Sequence, residues 1–174
     1  MKKNLIAVAV LASSAFAVSA FAADGQVNFT GSIIDAACTV TNSVSNPLEV
    51  KLGQVSKTAF TQAGDTAAAT KFTLKLTNCP TTVSTATIKF DGTSVNGDNS
   101  VLALTDVSGV ATGVGIQLSD DANTVLPLFT ASKAYALSST ADNNLDFVAR
   151  YIATSDSVTA GPADSMASFT VNYN

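Results

Sequence analysis

A chain of 174 residues with no histidine, no tryptophan and only two cysteines leaves little material for catalysis. Without histidine it can build neither a Ser-His-Asp nor a Cys-His device, nor a zinc site of familiar type, so no enzyme activity and no cofactor is expected. Thirteen acidic against nine basic side chains give a formal charge of −4, a thin acidic balance that argues against nucleic acid and anionic membranes as partners.

Lys2 and Lys3 precede an almost wholly apolar run from Leu5 to Phe21, and Ala20-Phe21-Ala22 supplies a small-x-small cleavage site. Residues 1–22 therefore read as a secretory signal peptide. The many Ala and Ser residues and the lack of a stop-transfer flank disfavour a membrane anchor. Residues 23–174 suffice for one domain with one core. In the oxidising compartment that such a leader implies, Cys38 and Cys79 read as one structural disulfide. A metal or redox pair would call for a CxxC spacing, which is absent.

The mature chain opens on residues 26–34, where Val27, Phe29, Gly31 and Ile33 share one face and Gln26, Asn28, Thr30 and Ser32 the other. That alternation predicts a half-buried β-strand. Gly31 weakens such a strand unless something approaches its backbone closely. Asn28-Phe29-Thr30 also matches a glycosylation sequon, read as chance. Leu48, Val50 and Leu52 alternate next. From Ala59 to Thr70, Ala67-Ala68-Ala69 could turn helically, but Gly64 and Thr66 favour a loop. Phe72, Leu74 and Leu76 predict a strand with one wet face, stopped by Asn78-Cys79-Pro80.

Ile88 and Phe90 repeat the pattern before the Asp91-Gly92 turn, followed by Val101, Leu102 and Leu104. Gly113 to Leu118 is a further strand. Leu126 and Leu128 flank Pro127, which assigns that segment to a sheet edge. Leu145, Phe147, Ala149 and Tyr151 alternate, with Arg150 on the opposite face, read as exposed or in a surface ion pair, a ligand contact being the alternative. Asp91, Asp98, Asp120 and Asp121 sit among Gly, Asn and Ser and read as solvated turns. A calcium loop or acid pair is the alternative, although Asp91-Gly92-Thr93-Ser94-Val95 fails the EF-hand spacing.

Short strands at regular spacing, rich in Thr and Val, predict an all-β antiparallel sandwich. Ala167, Phe169, Val171 and Tyr173 alternate up to Asn174. A strand in that position has no successor in sequence to pair with. An uncovered apolar groove beside it is an aggregation hazard, and the opening strand is the candidate to cover it.

The run Val27-Asn28-Phe29-Thr30-Gly31-Ser32-Ile33-Ile34-Asp35-Ala36-Ala37-Cys38 resembles the N-terminal extension and first cysteine of type 1 fimbrial major subunits of the chaperone–usher class. Leu52-Gly53-Gln54-Val55 and Phe147-Val148-Ala149-Arg150-Tyr151-Ile152-Ala153-Thr154 are similar to later shared blocks. The end carries the penultimate aromatic Tyr173 and Gly161 at the fourteenth position from the end. On the donor face only Ala23 and Gly25 precede Val27, where many members have a further apolar residue.

The resemblance implies an incomplete immunoglobulin-like sandwich that lacks its final strand and is completed by a donor strand. Its layout would be a signal peptide (1–22), an N-terminal extension acting as donor strand (23–34) and a pilin domain (35–174). It implies a structural subunit of a fimbria that polymerises by donor-strand exchange and supports adhesion of the bacterial cell. The partners implied are neighbouring pilin subunits, a periplasmic chaperone and an outer-membrane usher, on a route through the periplasm to the cell surface. Val27, Phe29, Gly31 and Ile33 would be the donor residues. Gly161, Phe169, Val171, Tyr173 and Asn174 would meet the chaperone and border the groove. The competing reading is a secreted β-sandwich adhesin or carbohydrate-binding module. No tryptophan and no aromatic cluster offers it a sugar platform.

Overall fold

The computed structural model describes residues 25–34 and 37–174; the expected signal peptide lies outside them. Two units result, Met1–Ile33 and Ile34–Asn174. In the first, residues 25–33 form no strand, and Val27, Phe29 and Ile33 are 75%, 93% and 101% exposed. The half-buried strand expected at residues 26–34 is not formed: both faces are exposed, because a strand needs a hydrogen-bonded neighbour and no strand among the described residues pairs with this segment.

The described residues of the second unit hold nine strands: β1 (Thr39–Val40), β2 (Thr66–Thr77), β3 (Thr85–Asp91), β4 (Ser94–Val95), β5 (Asp98–Leu102), β6 (Val114–Asp120), β7 (Tyr135–Ala136), β8 (Asn143–Ala153) and β9 (Ser168–Tyr173). They form an antiparallel sandwich of a six-stranded sheet, ordered β1-β2-β8-β6-β5-β4, and a three-stranded sheet, ordered β7-β3-β9. Leu74 and Leu76 of β2, Leu145 and Phe147 of β8, and Ile88 and Phe90 of β3 point inward and are buried. Phe147 anchors the middle, stacked on Phe72 at 5.6 Å and edge-on to Phe90 at 5.2 Å. Such pairs add about 0.5–1.5 kcal/mol beyond the area they bury. The outer face of β2 is wet as predicted: Lys71 pairs with Asp146 and Lys75 with Asp142, each at 2.7 Å.

Four other predicted features fold differently. Residues 66–70 are not a loop but the start of β2. Thr66 pairs with Ile152 and Ala67 with Tyr151, and a bulge at Ala68 (φ 57°) absorbs the misfit. Pairing with the long β8 outweighs the weak strand propensity of alanine. Leu126 and Leu128 are buried core residues of a connecting loop, with only one bridge, Ser119↔Val125, beside them. Arg150 makes no ion pair among the described residues. Its guanidinium donates to Ser119 Oγ at 2.9 Å and Asn123 Oδ1 at 2.7 Å. Asp120 is no solvated turn residue: it is buried at the end of β6.

Asp120 also gives the fold a pH dependence. Burial pushes its carboxyl up, but the N–H groups of Thr124 (2.8 Å) and Ala122 (2.9 Å) and the charge of Lys133 outweigh that and hold it below the usual carboxylate range. A depressed folded value stabilises the native state above the unfolded value near 3.8, and the gain is lost as pH falls through the folded one. Asp120→Asn should therefore lower the melting temperature at pH 7 and flatten its fall between about pH 5 and pH 2. An unchanged acid limb would remove Asp120 from that account.

Cys38 and Cys79 are joined in a disulfide. It ties the residue before β1 to the second residue after β2, both buried. Asn143, also buried, donates to Cys79 Sγ at 3.3 Å and to Ser138 O at 2.9 Å.

Candidate functional site

The site begins with an edge. β9 pairs with β3 through Phe90↔Phe169, Ile88↔Val171 and Ala86↔Tyr173, and no strand among those described pairs with its other side. Period-two alternation turns Phe169, Val171 and Tyr173 toward the core, yet each stays only half-buried. The opposite rim is residues 37–52. There β1 pairs with β2 at just two positions, Thr39↔Thr77 and Val40↔Leu76. Leu48, Val50 and Leu52 alternate as predicted, and Val50 and Leu52 pack on the core, but no ladder forms along them.

Between these rims lies an open groove with a volume of about 820 Å³. Phe72 and Leu74 of β2, Phe90 of β3, Leu102 of β5, Ile116 and Leu118 of β6, and Ala149 of β8 form its apolar floor. At one end Tyr173 reaches the other rim. Burial raises its phenol, and the backbone of Cys38 beside it pulls the other way. A groove of this kind, apolar below and flanked by an unpaired strand edge, is built to accept one more strand. Among the described residues no three His, Cys, Asp or Glu side chains gather as a metal cluster.

Phe169, Val171, Tyr173 and Cys38 line this groove together. Asn174 does not line it. Its N–H donates to Thr85 O at 2.9 Å and its carbonyl accepts from Ser84 N at 2.9 Å, so it extends the β3–β9 ladder. Gly161 lies apart, in a smaller cavity of about 540 Å³ with Phe60, Tyr151 and Asp164. A Cβ there would overlap the Gly109 carbonyl and come within 2.7 Å of Ala111 N. Close backbone approach gives this glycine a structural role of its own. Tyr151 donates to Ala163 O at 3.1 Å, and burial, aided by Asp164, raises its phenol.

Val27, Phe29, Gly31 and Ile33 belong to the N-terminal unit. A Cβ on Gly31 meets nothing within 4 Å, so a demand for glycine can arise there only when the segment is packed. Sequence reasoning did not mark the floor. The alternation of β6 and β8 shows which residues point inward, but not which inward residues lie under a missing strand.

The model of the family described as fimbrial protein matches residues 27–174. The chain is 36% identical over 170 residues to long polar fimbria protein A of Salmonella typhimurium, covering 97% of this chain and 93% of that protein. It is similar to the crystal structure of an antigen and type I fimbria protein of Burkholderia pseudomallei, at 38% identity and a TM-score of 0.61, over 86% of this chain and 97% of that one. The P pilus rod subunit PapA shares the fold, with a TM-score of 0.66 at 23% identity, over 80% of this chain and all of that one. An edge that lacks a neighbour, an apolar groove beside it and relatives of near full length agree: this chain belongs to the fimbrial protein family and is a structural fimbrial subunit, similar to those of type 1 and long polar fimbriae.

Proposed function

We propose that copies of this chain polymerise by strand donation, residues 26–34 of one copy filling the groove of the next. The observation that carries this reading is a single chain holding both an open apolar groove and an unpaired, alternating apolar segment. Burying Val27, Phe29 and Ile33 would each contribute about 1.5–3 kcal/mol, and backbone pairing along β9 would fix the register. A one-residue slip would bury Asn28 and Thr30 instead, so the two faces are not interchangeable. Before assembly a periplasmic chaperone would cover the same edge, meeting Phe169, Val171 and Tyr173, with Asn174 at the end of the strand and Gly161 upstream of it. An outer-membrane usher would then oversee the exchange and deliver the fibre to the cell surface. Residues 1–22 would be the leader, 23–34 the donor and 35–174 the pilin domain.

Removing residues 23–34 tests this. The shortened subunit should keep its disulfide and its fold, yet form no SDS-resistant, heat-dissociable multimers, while the full chain does. Multimers that persist in the shortened subunit would overturn the proposal.

A further inference from the structure

The disulfide joins two sulfurs in unlike surroundings. Cys38 begins the rim of the groove and lines it, between Ala37 and Val40. The Tyr173 phenol lies beside its backbone, at the far end of β9. Cys79, the second residue after β2, takes no part in that lining. Both cysteines are buried, and the groove is the cavity that the bond borders.

Cys79 has a different neighbour. The buried Asn143 donates to Cys79 Sγ at 3.3 Å. The same amide nitrogen donates to Ser138 O at 2.9 Å and Ala141 O at 3.3 Å, and its oxygen accepts from Ser138 N at 2.7 Å. Every polar atom of the side chain is engaged, so the loop before β8 holds the amide against the sulfur. Lys75 of β2, paired with Asp142 at 2.7 Å, ties that loop down. Among the described residues this is the one hydrogen bond to either sulfur.

A disulfide exchanges when a thiolate attacks one sulfur and the other departs with the bonding electron pair. An N–H aimed at Cys79 Sγ stabilises the negative charge that develops if Cys79 is the one to depart. The bulk of Asn143 also obstructs a nucleophile at Cys79, whereas Cys38 faces open space. Access and electrostatics favour the same direction.

We infer that Cys38–Cys79 is an asymmetric exchange site, attacked at Cys38 through the open groove with Cys79 as the leaving sulfur. A small thiolate bonds to Cys38 Sγ, the Cys38–Cys79 bond breaks, and its electron pair goes to Cys79 Sγ beside Asn143. A second thiolate then displaces Cys38, leaving two protein thiols and one oxidised reductant. The consequence for assembly rests on the strand-donation reading. Residues 26–34 outnumber the six of β9, so a strand laid along it is long enough to reach the Tyr173 end, where Cys38 lies. A filled subunit therefore keeps its bridge, and an unfilled one is open to reduction.

The test uses the full-length refolded chain at low concentration, mercaptoethanol as the thiol and iodoacetamide to trap the freed cysteine. Peptide mapping should find the mercaptoethanol adduct on Cys38 and the alkyl group on Cys79. That product should exceed the reverse by about tenfold or more, in line with a hydrogen bond to a charged group. Asn143→Ala should narrow the ratio toward equality, and because the wild-type ratio needs no variant, misfolding of Asn143→Ala leaves the test intact. A fluorescent peptide of residues 26–34, added at about ten times its dissociation constant, should slow adduct formation about tenfold. Equal adducts on the two cysteines, or an excess on Cys79, would overturn the asymmetry. A peptide that binds, as its fluorescence reports, and leaves the rate unchanged would overturn access through the groove. A peptide that does not bind would instead overturn strand donation itself.

Discussion

A chain that carries a second copy of residues 26–34 after Asn174, joined by a short flexible turn and lacking the original extension, should fold as a monomer that melts far above the parent. β9 ends beside the groove, so a turn after Asn174 returns the added strand antiparallel along the open edge. The linker keeps the donor at millimolar effective concentration, and intramolecular filling should outcompete filling by another copy. Burial of Val27, Phe29 and Ile33 offers roughly 5–9 kcal/mol before ordering costs, comparable with the net stability of a whole domain. Even half of that should raise the melting temperature by about 10 °C in a domain of this size. Replacing Gly31 of the added copy by Leu should take back much of the gain, because a glycine on the buried face of a strand marks a close approach with no room for a side chain. Calorimetry and gel filtration check both statements. A grafted chain that aggregates, or a leucine variant as stable as its parent, would show that the groove or the register is something else.

Removing the disulfide should have the next largest effect. Cys38 and Cys79 close a loop 41 residues long, and a native bridge of this kind typically contributes 2–5 kcal/mol, by a mechanism that is model-dependent. Its position adds a local consequence. The rim formed by residues 37–52 is held to the sheet by two β1 pairs, by hydrogen bonds of Thr41 and Asn42 to Lys75, by Val50 and Leu52 on the core, and by this bond. Replacing both cysteines by serine should lower the denaturation midpoint and reduce donor-peptide capture further than the loss of global stability accounts for. Intact-mass measurement after alkylation of the native protein reads the starting state: two blocked thiols would show that the bridge does not form in the exported chain. A double variant that captures the peptide as well as the wild type would show that the rim does not need its clamp.

The sequence by itself determined the strands that bury one face. In β2, β8 and β9 the alternation of apolar and polar residues is long enough that only a period-two element can satisfy it, and Phe72, Leu74, Phe147 and Phe169 lie on the faces expected. The bridge between Cys38 and Cys79 was legible too, because a chain without histidine or a CxxC spacing leaves two exported cysteines little else to do. The alternation of Val27, Phe29 and Ile33 is plain in the sequence, but the half-buried strand it predicts needs a partner, and in the described residues these side chains are exposed.

Tertiary structure alone decided the rest, wherever a distant partner outweighed local preference. The alanines at 67–69 became strand because β8 is long enough to hold them. Leu126 and Leu128 became core because their loop crosses between the sheets, although Pro127 marks an edge by local rules. Asp120 was drawn into the interior by two backbone N–H groups and Lys133, which no spacing reveals. The groove floor is the clearest case. Ala149 and Phe147 alternate alike in sequence, and both point inward. Phe90 of β3 and Tyr135 of β7 close over Phe147, whereas Ala149 lines the groove, and no spacing reveals that difference, because a groove is defined by the strand that is missing above it.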